Sequence, residues 1–209
     1  KISYANAAAT GTASEAEYVE VSLSERRDPS AVRVALDAAL PPGLDIVTVI
    51  EAPPGALADR LEASEWVLAF RGMDRADLAA ALARFRSEDR VEVTRMLKAG
   101  PRTFDTRAAV VAARATEAPA EPDLAALVPA GCAILRMVVR HTTPAVRPDD
   151  ILTALRTHAA LDIASPPLVT RLAQGPLLDG GASVADPLAI PVEVTGVETV
   201  PRQREPFPA

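Results

Sequence analysis

The chain has 209 residues, a formal net charge of −6, 49% hydrophobic and 3% aromatic residues, and a single cysteine. That length suits one large domain or two small ones, and the acidic balance argues against a surface that coats RNA or DNA, so no DNA partner is expected. The lone Cys132 excludes a disulfide framework and suits a reducing, cytoplasmic compartment, while no run approaches the ~18 apolar residues of a membrane span.

In chain order, "EAEYVEVSLS" (15–24) alternates Val19, Val21 and Leu23 with polar neighbours and predicts a half-buried strand. Asp28-Pro29 caps and opens a helix with Val32, Leu36 and Leu40 on one face, ended by Pro41-Pro42-Gly43. "DIVTVIEA" (45–52) predicts the returning strand. A second unit follows, with "EWVLAF" (65–70) as strand, a helix capped by Asp74 with Leu78, Leu82 and Phe85 on one face, and "VEVTRM" (91–96) as strand. The third runs from "CAILRMVVR" (132–140) through Pro148 and "DDILTALRTHAAL" to "PLVTRLAQ" (167–174). Short connections between strand, helix and strand predict parallel pairing through crossovers.

Two such units in tandem give an α+β fold: a ferredoxin-like βαββαβ over residues 17–97, then a further strand at 106–115 and the third strand-helix-strand unit. The predicted organisation is a ferredoxin-like domain with a basic hairpin over 1–115 and a linker or loop over 116–131. Residues 132–178 form a unit packed on the first, and 179–209 a poorly ordered Pro/Gly-rich tail.

Charge is uneven along the chain. Residues 91–114 carry Arg95, Lys98, Arg102, Arg107 and Arg114 among five basic groups against Glu92 and Asp105, a net of +3, while both flanks are acidic. The stretch "RMLKAGPRTFDTR" (95–107) reads either as an anion- or RNA-binding loop or as a solvated hairpin. In the first case Arg95, Lys98, Arg102 and Arg107 offer cations, and Arg forks suit phosphate or carboxylate. Asp105 would then orient an arginine or act on a substrate. In the second, Asp105 pairs with Arg102 or Arg107 for at most ~1 kcal/mol. Gly100-Pro101 is expected at the tip with Phe104 turned inward, and alanine at Arg102 or Asp105 is expected to move stability by less than ~0.5 kcal/mol.

Other chemistry finds little footing. Cys132, His141 and His158 have no metal-ligand spacing, so no metal and no cofactor is expected. His141 reads as a surface residue at a strand end, and His158 as a cation at a helix C-terminus. Neither "GALADR" nor "GPRTFD" is a phosphate loop. Asp149-Asp150 sit in a first helical turn, where capping accounts for them. Trp66, Phe70 and Phe85 read as core.

The stretches "KISYANAAATGTASEAEYVEVSLSE", "LDAALPPGLDIVTVIEAPP", "VEVTRMLKAGPRTFDTR" and "VTRLAQGPLLDGG" together resemble a bacterial domain of unknown function, the radical-SAM-linked uncharacterised proteins, in its actinobacterial form. The resemblance implies a radical SAM protein as partner, carries no established activity, and implies that an N-terminal segment of the family is missing here. Lys98, Gly100, Arg102, Asp105 and Arg107 also resemble the arginine–aspartate loop of pseudouridine synthases, which implies RNA as the alternative partner and Asp105 as the reacting group. The expected function is therefore an accessory domain without a self-sufficient catalytic site, with an RNA-binding or RNA-modifying protein as the alternative.

Overall fold

The computed structural model describes residues 1–116, 128–178 and 180–189. Its centre is β4 (Ala63–Arg71), a strand whose first eight residues are all buried. Alternating side chains of a strand point to opposite faces, so burial along its whole length means that both faces are covered. Trp66, Leu68 and Phe70 pack on one side with Leu78, Leu82 and Phe85 of α3 (Arg75–Ser87) and with Ile151 and Leu155 of α5 (Pro148–His158). Val67 and Ala69 pack on the other with Cys132, Ile134 and Leu172.

β8 (Cys132–Arg140) pairs antiparallel with β4 along its whole length, and β9 (Leu168–Gly175) pairs antiparallel with the opposite edge of β4. β7 (Val110–Thr116) borders β8, and the two-residue β2 (Ala13–Ser14) borders β9, which gives a five-stranded sheet of order β2-β9-β4-β8-β7. In chain order β4, α3, β7, β8, α5 and β9 run β-α-β-β-α-β, the order of a split βαβ arrangement.

The α+β class expected from the sequence holds, but its elements are distributed differently along the chain. Within 17–97 only β4 and α3 belong to the central layer. β3 (Tyr18–Val21) pairs with β1 (Ile2–Ala5) in a separate two-stranded sheet. α1 (Pro29–Ala39) is capped by Asp28 as its sequence predicts, yet buries no residue. Residues 45–52, expected to be a strand, carry no ladder. The strand expected at 91–96 forms as β5 (Glu92–Leu97), but it pairs only with β6 (Gly100–Asp105), outside the central sheet.

The parallel pairings expected from the crossovers are also replaced. β8 and β9 do not touch as neighbours because β4 stands between them, and the one parallel ladder among the described residues joins β2 to β9. After β9 the chain turns back on itself: Leu177 bridges Val184 and the Ala185 N–H donates to the Pro176 carbonyl at 2.8 Å. Residues 117–127 of the stretch read as a linker, and 179 and 190–209 of that read as a tail, lie outside the described residues.

A fastened basic hairpin as candidate functional site

The β5–β6 hairpin holds most of the sequence-selected residues. Its register pairs Val93 with Phe104, Arg95 with Arg102 and Leu97 with Gly100, so Lys98-Ala99 forms the tip. Gly100-Pro101, expected there, instead opens β6. Gly100 has φ +105°, a conformation open to glycine without a Cβ clash.

Arg95, Val93, Phe104 and Arg102 share one face of the hairpin, since alternate residues do. Phe104 is half-buried opposite Val93, and the Arg95 guanidinium lies over its ring at 5.0 Å from the centroid. From there Arg95 reaches α5. It forms an ion pair with Asp150 and donates to the Ala145 carbonyl at 3.0 Å. Asp150 is buried, and its Oδ2 also accepts the Arg147 N–H at 2.8 Å, so the first turn of α5 holds the carboxylate in place. At the other end of α5, His158 Nε2 lies 3.2 Å from the Glu92 carbonyl at the base of the hairpin. The carboxylate expected to serve only as a helix-terminal charge thus also anchors the hairpin, and His158 anchors it again.

The remaining candidates do not converge. Asp105 Oδ1 accepts the backbone N–H of Val91 at 3.1 Å and of Arg107 at 2.9 Å, which caps the one-turn helix α4 (Thr106–Ala109). The Asp105–Arg102 or Asp105–Arg107 side-chain pair expected from the sequence is replaced by these backbone bonds. Arg107 turns to the Val110 carbonyl at 3.3 Å. Arg102, Lys98 and Met96 face solvent. What the hairpin offers chemically is a rigid mount with two exposed cations and one apolar side chain near its end.

A second polar cluster escaped the sequence reading. His141, expected on the surface, is half-buried: Nδ1 lies 2.6 Å from the Leu61 carbonyl and Nε2 lies 2.7 Å from Ser64 Oγ. The carbonyl requires the proton on Nδ1, which leaves Nε2 to accept the serine hydroxyl. A protonated Nδ1 cannot accept from Asn6, whose Nδ2 is then a neighbour at 3.0 Å and not a donor. Burial, and secondarily the Arg171 charge, lower the His141 pKa against the opposing Leu61 bond. Such a serine–imidazole pair on an open surface would be half of a nucleophilic site. Ser64 is only 1% exposed, so this pair is a pin between strand ends.

Arg171 extends the pin. It donates from Nη1 to the Asn6 carbonyl at 2.6 Å and from Nε to Ser14 Oγ at 3.1 Å, pairs with Glu17, and lies over the Trp66 ring. No signal in the sequence singles out these residues, because their partners lie more than a hundred positions away. Elsewhere, a cavity of about 350 Å³ opens beyond the end of β4, with Phe70 and Leu161 among apolar lining residues and Asp74, Asp77 and Asp162 among polar ones. None of Arg95, Lys98, Arg102, Asp105 and Arg107 lines it. Among the described residues no group of three or more His, Cys, Asp or Glu side chains could hold a metal ion, and no helix is long and apolar enough to cross a membrane.

Comparison with curated proteins and with solved structures yields no match. Comparison with protein families matches residues 1–148. The chain therefore belongs to the family described as "Uncharacterized protein conserved in bacteria (DUF2344)".

Proposed function

We propose that the protein is an accessory binding domain whose β5–β6 hairpin is its docking arm, and that the partner is a radical SAM protein. The observation that carries this reading is the mounting of the hairpin. It stands outside the five-stranded sheet, is fastened to α5 through Arg95 and His158, and leaves Met96, at 73% exposure, and the cations Lys98 and Arg102 exposed near its end. A preorganised arm of this kind loses less side-chain freedom on binding than a loose loop does. The choice of partner, and an actinobacterial origin, come from the sequence resemblance. A reducing cytoplasm as the setting is in keeping with the buried free Cys132.

In this reading no residue is catalytic, and Lys98 and Arg102 meet an acidic surface of the partner. The RNA alternative would use the same two cations. Its catalytic form is disfavoured because Asp105 is engaged by two backbone N–H groups.

Co-purification of the full-length protein with the radical SAM protein tests the proposal. The double variant Lys98→Glu, Arg102→Glu is expected to lose the partner while keeping the wild-type melting temperature. Retention of the partner by the variant would remove the hairpin from the interface. An electrophoretic shift with bulk tRNA that weakens steeply with salt, and disappears in the same variant, would instead favour RNA.

A further inference from the structure

The β5–β6 hairpin lies along α5 in a fixed direction. Its base meets the end of α5, where His158 Nε2 lies 3.2 Å from the Glu92 carbonyl. Three residues further on, Arg95 reaches Asp150 and the Ala145 carbonyl at the start of the same helix. Strand β5 and α5 therefore run antiparallel, and the Lys98-Ala99 tip projects beyond the first turn of α5. The cavity beyond β4 opens at the other end of that helix, with Ala160, Leu161, Asp162 and Ile163 in its wall. The six residues of β5, at ~3.3 Å each, put the tip about 20 Å from the hairpin base. A tip mounted in this way points away from its own cavity.

The two ends are opposite in chemistry. Near the tip, Met96 and Pro101 stand opposite each other on one face of the hairpin, both exposed. Arg102 is exposed on the other face, with Lys98 at the turn. In the cavity, half-buried Met73 and Ile163 offer apolar surface, and Asp74, Asp77 and Asp162 stand against Arg71 and Arg84. Two of these five charges are already engaged. Asp74 Oδ1 accepts the Ala76 N–H at 2.6 Å, and Arg84 donates from Nε and Nη2 to the Ala159 carbonyl at 2.9 and 2.6 Å. The Asp77 and Asp162 side chains have no hydrogen-bond or ion-pair partner among the described residues. The mouth thus keeps two open carboxylates against Arg71, over an apolar wall. At about 350 Å³ the cavity falls within the range of ligand pockets, ~300–1,000 Å³, with room for a few side chains.

We propose that the hairpin tip of one copy of this chain enters the cavity of a second copy. Lys98 and Arg102 meet Asp77 and Asp162, and Met96 packs on Met73 and Ile163. The occupant is another copy because the tip carries the cations and the apolar side chain that this mouth accepts, on a mount that aims them outward. The contact is heterologous. Each joined copy keeps a free tip at one end or a free cavity at the other, so copies add in a row and do not close as a symmetric pair. The area covered is small, which makes the association weak and concentration-dependent, and its charge pairs make it sensitive to salt. Assembly covers the tip, so assembled copies hold their docking arms out of reach of any other partner. The contact itself requires no radical SAM protein.

Sedimentation velocity of residues 1–209 from ~10 μM to ~1 mM tests this, with association expected to grow across the range. A tip variant, Lys98→Glu with Arg102→Glu, and a cavity variant, Asp77→Lys with Asp162→Lys, should each stay monomeric. Mixed in equal amounts they should form a dimer and nothing larger, because one intact tip then meets one intact cavity. All four changes in a single chain should restore the wild-type series. If the lysine pair fails to fold, Asp77→Asn with Asp162→Asn carries the same test through loss of charge. A wild type that stays monomeric throughout, a variant that assembles like the wild type, or a mixture that stays monomeric would overturn the proposal. So would a monomeric wild type whose melting temperature falls sharply in the asparagine variant, since the protein's own residues would then fill the cavity. The cavity variant keeps the whole hairpin, so its retention of the radical SAM protein is read apart from assembly, and failure of that docking leaves this contact standing.

Discussion

Arg95 and Asp150, 55 positions apart in sequence, meet as an ion pair with side-chain exposures of 20% and 4%. The pair joins a hairpin outside the sheet to the first turn of α5. Removing one partner of such a pair leaves a desolvated charge behind, which costs several kcal/mol when burial is complete. Arg95 retains some water, so Asp150→Ala is expected to cost ~2–4 kcal/mol in chemical denaturation. Exchange of the β5–β6 amides should accelerate more than that of β4. A loss below ~0.5 kcal/mol would show that Val93 and Phe104 hold the hairpin without the pair.

Asp105 changes its expected behaviour once its partners are known. As a surface carboxylate it would be indifferent to truncation, but as the acceptor for the Val91 and Arg107 N–H groups it caps α4. Asp105→Ala should cost ~1–2 kcal/mol, with Asp105→Asn retaining most of the stability. Arg102→Ala, on an exposed strand position, should stay within ~0.5 kcal/mol. Equal melting temperatures for the Ala and Asn variants of Asp105 would argue against the cap.

Stability should fall as acid reaches the His141 pin. Burial lowers the folded-state pKa of His141 below the ordinary histidine value of 6.5. Between the two values the unfolded chain binds the proton and the folded chain does not, so stability rises with pH. The contribution is therefore complete above the unfolded value and is lost as pH falls below it toward the folded one. Denaturation midpoints between pH 7.5 and pH 5 should show this slope in the wild type and a shallower one in His141→Gln. Parallel slopes would assign the acid sensitivity to other groups.

Arg171 ties residues 6–17 to β9 through Asn6, Ser14 and Glu17. Arg171→Met keeps the apolar stem over Trp66 and removes the donors. It should expose the segment before β3 to limited proteolysis and cost ~2–4 kcal/mol. An unchanged cleavage pattern would mean that the β2–β9 ladder alone retains the segment.

Local signals made some elements legible and left others dark. The run Cys132–Arg140, the proline at 148 and the spacing of Ile151 and Leu155 identify β8 and α5, because each depends on neighbours within a turn or two. Alternation at 45–52 describes a segment suited to a sheet, but a ladder needs a second strand beside it, and the described chain places none there. The hairpin tip lies at Lys98-Ala99 and not at Gly100-Pro101 because the glycine is needed just after the two tip residues, where Gly100 takes its positive φ. The Ser64–His141–Asn6 and Arg171–Glu17 contacts join residues from 77 to 154 positions apart. No spacing rule reaches that far. The basic residues were visible as a group, but the division into clamp and exposed tip is decided by Asp150 and His158 on another element.

The position of β4 also sets a schedule for assembly. It is made early, yet both strands that flank it come later, β8 at 132–140 and β9 at 168–175. Contacts so distant in sequence carry a large loop-closure cost before they give anything back, and they slow folding. During synthesis "WVLAF" therefore waits with neither edge paired, an exposed strand of the kind that recruits chaperones or aggregates. Chains released before residue 168 should remain protease-sensitive through β4, and protection should appear in one step when synthesis passes residue 175.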